Sequence, residues 1–265
     1  MKPLLLILIT LATLAFQSCA FKPAIDDQGN ITLRNPSKMM RNHGIRQFEK
    51  LKRTRVICND PRYTIPVQRV AKRLKEVIIL PGAEWEFVVF EDHSPNAFAL
   101  PGGKVGINTG IFRIVGDDER SDAILAAVLG HEISHTVAAH AEQRLYRAAA
   151  FIFCCQLLWY EMDSNDIEHP EHALAAFALV GYLADSLPFS RKQEYESDKM
   201  GAVYMAKAGY DPRASIELWK RLENYHNLHG GQKTEILRTH PQDTSRIQAL
   251  ERFMPIALQH LNEQP

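Results

Sequence analysis

The sequence predicts an α+β fold, mainly helical, with a small sheet beside one buried helix. Three observations carry this. Apolar residues recur at helical spacing, as in Val67, Val70, Leu74 and Val77. Only two short segments, Trp85 to Phe90 and Lys104 to Asn108, are aromatic, β-branched or alternating enough for strands. An Ala-rich stretch of helical period carries uncharged residues, Val128, Leu129, Gly130, Thr136 and Val137, on both flanks of a His-Glu-x-x-His pattern. Such flanks suit a buried helix rather than a solvated stripe.

The elements follow in order. Met1-Lys2-Pro3, the apolar run Leu4 to Phe16 and Gln17-Ser18-Cys19-Ala20 read as a secretory signal. The run is short of the roughly 20 residues that span a bilayer. Ser18 before Cys19 predicts lipoprotein-type processing of residues 1–19 with Cys19 acylated, although Phe16 and Gln17 depart from the usual lipobox. Cleavage after Ala20 is the alternative. This predicts a bacterial envelope protein, lipid-anchored on the periplasmic side of a membrane, or else soluble periplasmic or secreted.

Residues 20–37 mix Asp, Gly, Asn and Pro without period and read as an arm, followed by a helix from Ser37 to Arg55. We therefore divide the rest into an N-terminal arm and helix, 20–63, and one catalytic domain, 64–265. Roughly 245 residues are enough for one core. A helix is expected from Thr64 with Pro66 near its first turn, then the two strands joined by a turn at Pro101-Gly102-Gly103. The buried helix should run from Asp118 or Ser121 to about Tyr146, its polar start serving as a cap. Ala148 to Tyr160 and His172 to Leu187 are apolar, split by a polar segment, and too short for confident spans. They read as buried helices or a lid, with a membrane-facing hairpin as the alternative. A helix from Ser190 to Lys207 is stopped by Gly209 and Pro212. A helix from Pro212 to Tyr225, a polar loop from His229 to Pro241 and a terminal helix from Asp243 to His260 complete the chain.

The His-Glu-x-x-His pattern carries the chemistry. On a helix, residues four apart lie one turn above each other, so His131 and His135 can offer ring nitrogens to one tetrahedral zinc ion. Glu132 lies beside the open position. Water on such an ion has its pKa lowered to about 7, and a neighbouring carboxylate can act as general base while it attacks a peptide carbonyl. The third ligand expected is Glu194, and Asp198, one turn on, can hold a ligand imidazole by its other nitrogen. His140, about 140° around an unbroken helix from His135, is set outside the ligand set, as a supporting or surface residue.

Several segments together resemble the gluzincin zinc metalloendopeptidases of peptidase family M48, which includes HtpX, the CAAX prenyl endopeptidases and Oma-type proteins. Besides the two zinc motifs they are Asn96-Ala97-Phe98-Ala99-Leu100-Pro101-Gly102-Gly103-Lys104-Val105-Gly106-Ile107-Asn108-Thr109-Gly110, Ala208-Gly209-Tyr210-Asp211-Pro212-Arg213-Ala214, and Thr239-His240-Pro241 with Arg246-Ile247. The likeness covers roughly residues 65–255 and is closest to the short soluble periplasmic lipoprotein members. It implies a zincin-like fold, one zinc ion per chain held by His131, His135 and Glu194, and Glu132 as general base. It also brings His240 and Arg246 to the active site, where either could stabilise an oxyanion, or His240 could cover the metal in a closed state. An edge strand built from Asn96, Phe98, Gly103 and Val105 could hold an extended polypeptide by main-chain hydrogen bonds. The family suggests quality control, with unfolded or misassembled envelope proteins as substrates. A chaperone or interaction protein on the same fold is the alternative, and intact Glu132 argues against it.

Composition narrows the partners. The 31 Lys plus Arg cancel the 31 Asp plus Glu, so no global field points to nucleic acid. Gly102, Gly103 and Gly106 lack the spacing of a phosphate-binding loop. Cys58 could pair with Cys154 or Cys155, or all three could be buried thiols.

Overall fold

A computed structural model of the chain describes residues 22–164, 169–181, 187–229, 235–240 and 244–262. The signal segment 1–19, with Cys19, lies outside them. Contacts divide the chain into two units: Ala24–Ala141 with Glu194–Pro265, and a second that contains Glu142–Gln193. The α+β, mainly helical class holds.

In the first unit, α1 spans Lys38–Thr54 and starts where the Ser37 hydroxyl accepts from the Met40 amide. Helix α2, Pro61–Val77, begins earlier than expected at Thr64. Asp60 caps it through the Arg62 amide, and Pro61 fills a first position whose missing N–H would have had no partner. The sheet has three strands where two were expected: β1 Glu86–Phe90, β2 Ala97–Leu100 and β3 Lys104–Asn108. Their order is β1-β3-β2, with β1 parallel to β3 and β2 antiparallel to it. The turn from β2 into β3 needs Gly102 and Gly103, both left-handed at φ 96° and 83°.

Strand β3 is therefore central, and all of it is buried. This corrects the expected substrate strand. Val105 pairs with Phe87 on one side and Ala99 on the other, and the Gly103 carbonyl accepts from Glu86, so neither offers a free edge. Among the described residues the edge beside the next helix is β2, which contains Phe98 and follows Asn96.

A 3-10 turn, Thr109–Ile111, and the short α3, Phe112–Val115, lead into α4, Ser121–Val137. Every residue of α4 from Ile124 to Val137 is buried, against α2, β2 and α8 (Ala214–Leu228). It ends well short of Tyr146. The chain turns at Ala138 and Ala139, and Ala139 takes φ 54°, which costs a residue with a β-carbon about 1–2 kcal/mol. Helix α5, His140–Asp163, starts from that turn. The N-terminal arm also belongs to this core: Ala24 and Ile25 are buried, and the Arg34 amide donates to the Val137 carbonyl.

Further on come α7, Leu187–Lys207, then α8, α9, Glu235–Thr239, and α10, Thr244–Asn262. Gly209, at φ 74°, stops α7 with paired bonds from Gly209 to Ala206 and from Tyr210 to Met205. Helix α9 lies in the segment expected to be a loop, and its Ile236 and Leu237 are buried.

The second unit holds most of α5 and α6, Pro170–Gly181. The two helices meet through Phe151 and Phe177, whose rings are parallel with centroids 5.6 Å apart. They are not the buried helices that one reading of these apolar runs expected: Ile152, Phe153, Trp159, Tyr160 and Leu179 are exposed. Among the described residues no helix is long and apolar enough to cross a membrane. Cys58, Cys154 and Cys155 are free thiols, Cys58 buried and the others half-buried.

Candidate active site

Two glycines bring the predicted motifs together. A β-carbon on Gly201 of α7 would lie 3.0 Å from the His131 amide nitrogen, and one on Gly130 of α4 would lie 3.2 Å from the Gly201 carbonyl oxygen. The helices thus cross backbone to backbone. That contact sets His131 and His135 on α4 opposite Glu194 and Asp198 on α7.

The donor atoms converge. His131 Nε2 is 3.2 Å from His135 Nε2, and the Glu194 carboxylate is 3.3 Å from the former and 3.5 Å from the latter. His240, seated after α9, places Nδ1 3.2 Å from His131 Nε2 and 2.9 Å from Glu194 Oε2. One atom from each of His131, His135, Glu194 and His240 lies within 4.8 Å of all the others. Ligand atoms on a tetrahedral zinc ion with bonds of ~2.0–2.1 Å stand about 3.3–3.4 Å apart. The donor set and its spacing fit that ion.

Protonation agrees with the fit. Burial opposes charge on Glu194, but His135, His240 and His131 outweigh it and hold the carboxyl well below its usual range. Burial keeps His135 neutral, well below the ordinary imidazole value. On His131 burial is outweighed by Asp198 and Glu194, which raise it to about 9. The carboxylates that retain a proton there would equally favour a cation in its place. Glu132 is buried beside the cluster, its Oε1 3.3 Å from His240 Nε2, and burial pushes its carboxyl up against the pull of His240 and His131.

Behind the donors, His131 Nδ1 lies 2.9 Å from Asp198 Oδ1. Arg246 grips Asp198 with Nε and Nη2, each at 2.8 Å, and reaches Glu194 Oε2 with Nη1 at 3.3 Å. Its guanidinium lies 3.8 Å over the Trp219 ring. All three of its nitrogens face protein groups, so the oxyanion role expected for Arg246 gives way to holding Asp198 and Glu194. Trp219, which also packs edge-on against His131 with centroids 5.6 Å apart, carried no signal in the sequence. His140 is buried against His135. Asn96 is buried, its carbonyl accepting from Asn108, and Phe98 stacks on Phe90.

A His-Glu-x-x-His helix crossed by a second helix that brings a glutamate, under a small sheet with an edge strand beside it, is the arrangement of a zincin-type metallopeptidase. The sequence profile described as Peptidase family M48 matches residues 61–254, and the chain belongs to that family. The enzyme class and the metal expected from the sequence agree with this membership. The chain is 35% identical over 195 residues to the mitochondrial metalloendopeptidase OMA1 of Schizosaccharomyces pombe, covering 73% of this chain and 54% of that protein. It is 32% identical over 224 residues to the human mitochondrial metalloendopeptidase OMA1, covering 80% and 41%. The beta-barrel assembly-enhancing protease of Escherichia coli is 27% identical over 198 residues, covering 72% and 39%. The chain thus spans about half or less of the length of these relatives. They also correct one expectation. The OMA1 relatives are mitochondrial proteins, so the location expected from residues 1–20, a bacterial envelope with a lipid anchor on the periplasmic side, does not stand.

Proposed function

We propose that this chain is a zinc-dependent endopeptidase that cleaves unfolded or misassembled polypeptides, with His131, His135 and Glu194 as its zinc ligands and Glu132 as its general base. The observation that carries it is the convergence of these three donors, from two crossing helices, next to a buried carboxylate. When bound, zinc supplies the Lewis acidity that activates water and polarises a peptide carbonyl. Glu132 takes the proton from water and returns it to the leaving amine. Asp198 orients His131, and Arg246 fixes Asp198.

The edge of β2, from Asn96 to Leu100, would receive an extended substrate by main-chain pairing, a mode that tolerates many side chains. His240 stands among the donors, so a substrate carbonyl reaches the cluster only when the segment around α9 carries His240 aside. The enzyme is then latent until that segment moves, after which the ring can donate to the developing oxyanion. The quality-control role rests on the named activity of the assembly-enhancing relative.

The decisive assay follows casein cleavage by native enzyme, chelator-treated enzyme and Glu132→Gln. Cleavage by the native protein alone supports the proposal. Equal cleavage by Glu132→Gln overturns the base assignment, and a native protein that holds zinc but cleaves no polypeptide favours a chaperone or interaction role. Shortening residues 229–234 should raise basal cleavage in the same assay, and an unchanged rate would remove the latent state.

A further inference from the structure

His140 is no member of the donor cluster, yet it is fully buried and closes a chain of contacts behind His135. Its Nδ1 lies 2.9 Å from His135 Nδ1, and its Nε2 lies 3.0 Å from Glu196 Oε2. On an unbroken α4 it would project about 140° away from His135. The left-handed turn at Ala139 ends α4 and returns the His140 ring to His135. A strained residue of this kind persists where its surroundings over-determine it.

Counting protons assigns the roles. Two ring nitrogens 2.9 Å apart bond when one carries a proton and the other a lone pair. His135 turns Nε2 to the donor cluster, so Nε2 must keep its lone pair and the ring proton sits on Nδ1. His140 Nδ1 is then the acceptor, and the proton of His140 sits on Nε2. That nitrogen faces Glu196 Oε2, an oxygen placed to accept its hydrogen bond. Ser197 Oγ stands farther from His140 Nδ1, at 3.4 Å. The other Glu196 oxygen, Oε1, accepts from the Ala24 amide of the N-terminal arm.

We propose that His140 and Glu196 are positioning residues that fix the tautomer and orientation of His135, as Asp198 does for His131, and that the Ala24 amide anchors Glu196. The inference rests on the zinc reading of the site. It adds a link that the sequence motif does not contain, running from the N-terminal arm through a carboxylate and a second imidazole to one ligand.

The test measures zinc affinity of the full chain, by competition with a chromophoric chelator, for native protein, His140→Ala, His140→Gln, Glu196→Ala and Glu196→Gln. Removing such a partner typically weakens metal binding 10–100-fold, and that loss is expected for His140→Ala and Glu196→Ala. His140→Gln keeps an oxygen that accepts from His135, and Glu196→Gln keeps one that accepts from His140, so both should recover most of the affinity. A purely structural role would not separate alanine from glutamine in this way. Circular dichroism melts of the metal-free variants report folding. Should His140→Ala fail to fold, the Glu196 pair and His140→Gln carry the decision. In the zinc-loaded native protein, two-bond proton–nitrogen spectra should show the His140 proton on Nε2. Native affinity in His140→Ala, equal losses in the alanine and glutamine variants, or a His140 proton on Nδ1 would each overturn the inference alone. A native protein that binds no zinc would instead overturn the reading of the whole site.

Discussion

Helix α4 and the hairpin of α5 with α6 look alike as sequence and differ as structure. Both are Ala-rich, apolar and almost free of charge over a dozen or so residues. In α4 everything from Ile124 onward is buried, including His131, Glu132, Ser134 and His135. In the hairpin, Ile152, Phe153, Trp159, Tyr160 and Leu179 stand in the open. Hydropathy alone therefore does not say whether an apolar helix is enclosed. What marks α4 is that its two histidines and Glu132 face specific polar groups on other elements. Asp198 and Glu194 meet the histidines, and α2, β2 and α8 close over the apolar remainder. A buried polar group without such partners would cost several kcal/mol, so the site and the burial of α4 depend on each other.

The largest effect that tests this contrast is chemical. General base catalysis contributes about 10²–10⁴-fold, so Glu132→Gln should lower kcat/KM for a peptide substrate by that range while zinc stoichiometry by metal analysis stays at one per chain. A variant that lost its zinc as well would show that Glu132 helps hold the cluster together. Next in size is packing. Leu129, fully buried on α4, should cost about 2–5 kcal/mol when cut to alanine, measured by urea denaturation. A loss under 1 kcal/mol would mean the core around α4 is looser than its burial implies.

How much of this could be read beforehand follows from the range of each signal. His131, Glu132 and His135 are legible because one helical turn fixes their spacing, and Glu194 with Asp198 for the same reason. For His140 a supporting role and a surface position both stayed open, because one continuous helix turns it away from His135. Ala138 and Ala139 carry no glycine or proline to mark the break, and alanine in the left-handed region is rare. Trp219 escaped because it meets His131 and Arg246 only through tertiary packing. Strand β2 and helix α9 are too short for a periodicity to develop over them. Gly201 did leave a trace, since a glycine inside a helical pattern usually has a packing reason, here the crossing with Gly130. The outward apolar face of α5 was illegible in principle, because an apolar run shows period without showing which side is covered.

That crossing gives the third test. A β-carbon on Gly201 would meet the backbone of α4, which cannot swing aside as a side chain can, so Gly201→Ala should cost about 1–3 kcal/mol. The damage should also reach the metal, since separating α4 from α7 pulls His131 away from Glu194 and Asp198. Weaker zinc binding alongside the lower melting temperature is the expected pair of results, and a destabilised protein with native zinc affinity would show that the crossing supports the core but does not set the site.

The smallest effect lies on the hairpin. Ile152 is 57% exposed on α5, and serine has a helix propensity close to that of isoleucine. With little apolar area to lose and no change in backbone preference, Ile152→Ser should shift unfolding free energy by no more than about 0.5 kcal/mol, as surface substitutions do. The comparison with Leu129→Ala is then close to a direct measurement of what enclosure is worth in two helices of similar composition. A cost for Ile152→Ser approaching that of Leu129→Ala would mean that this face is covered in the protein in solution. The two helices would then differ in what encloses them rather than in whether they are enclosed.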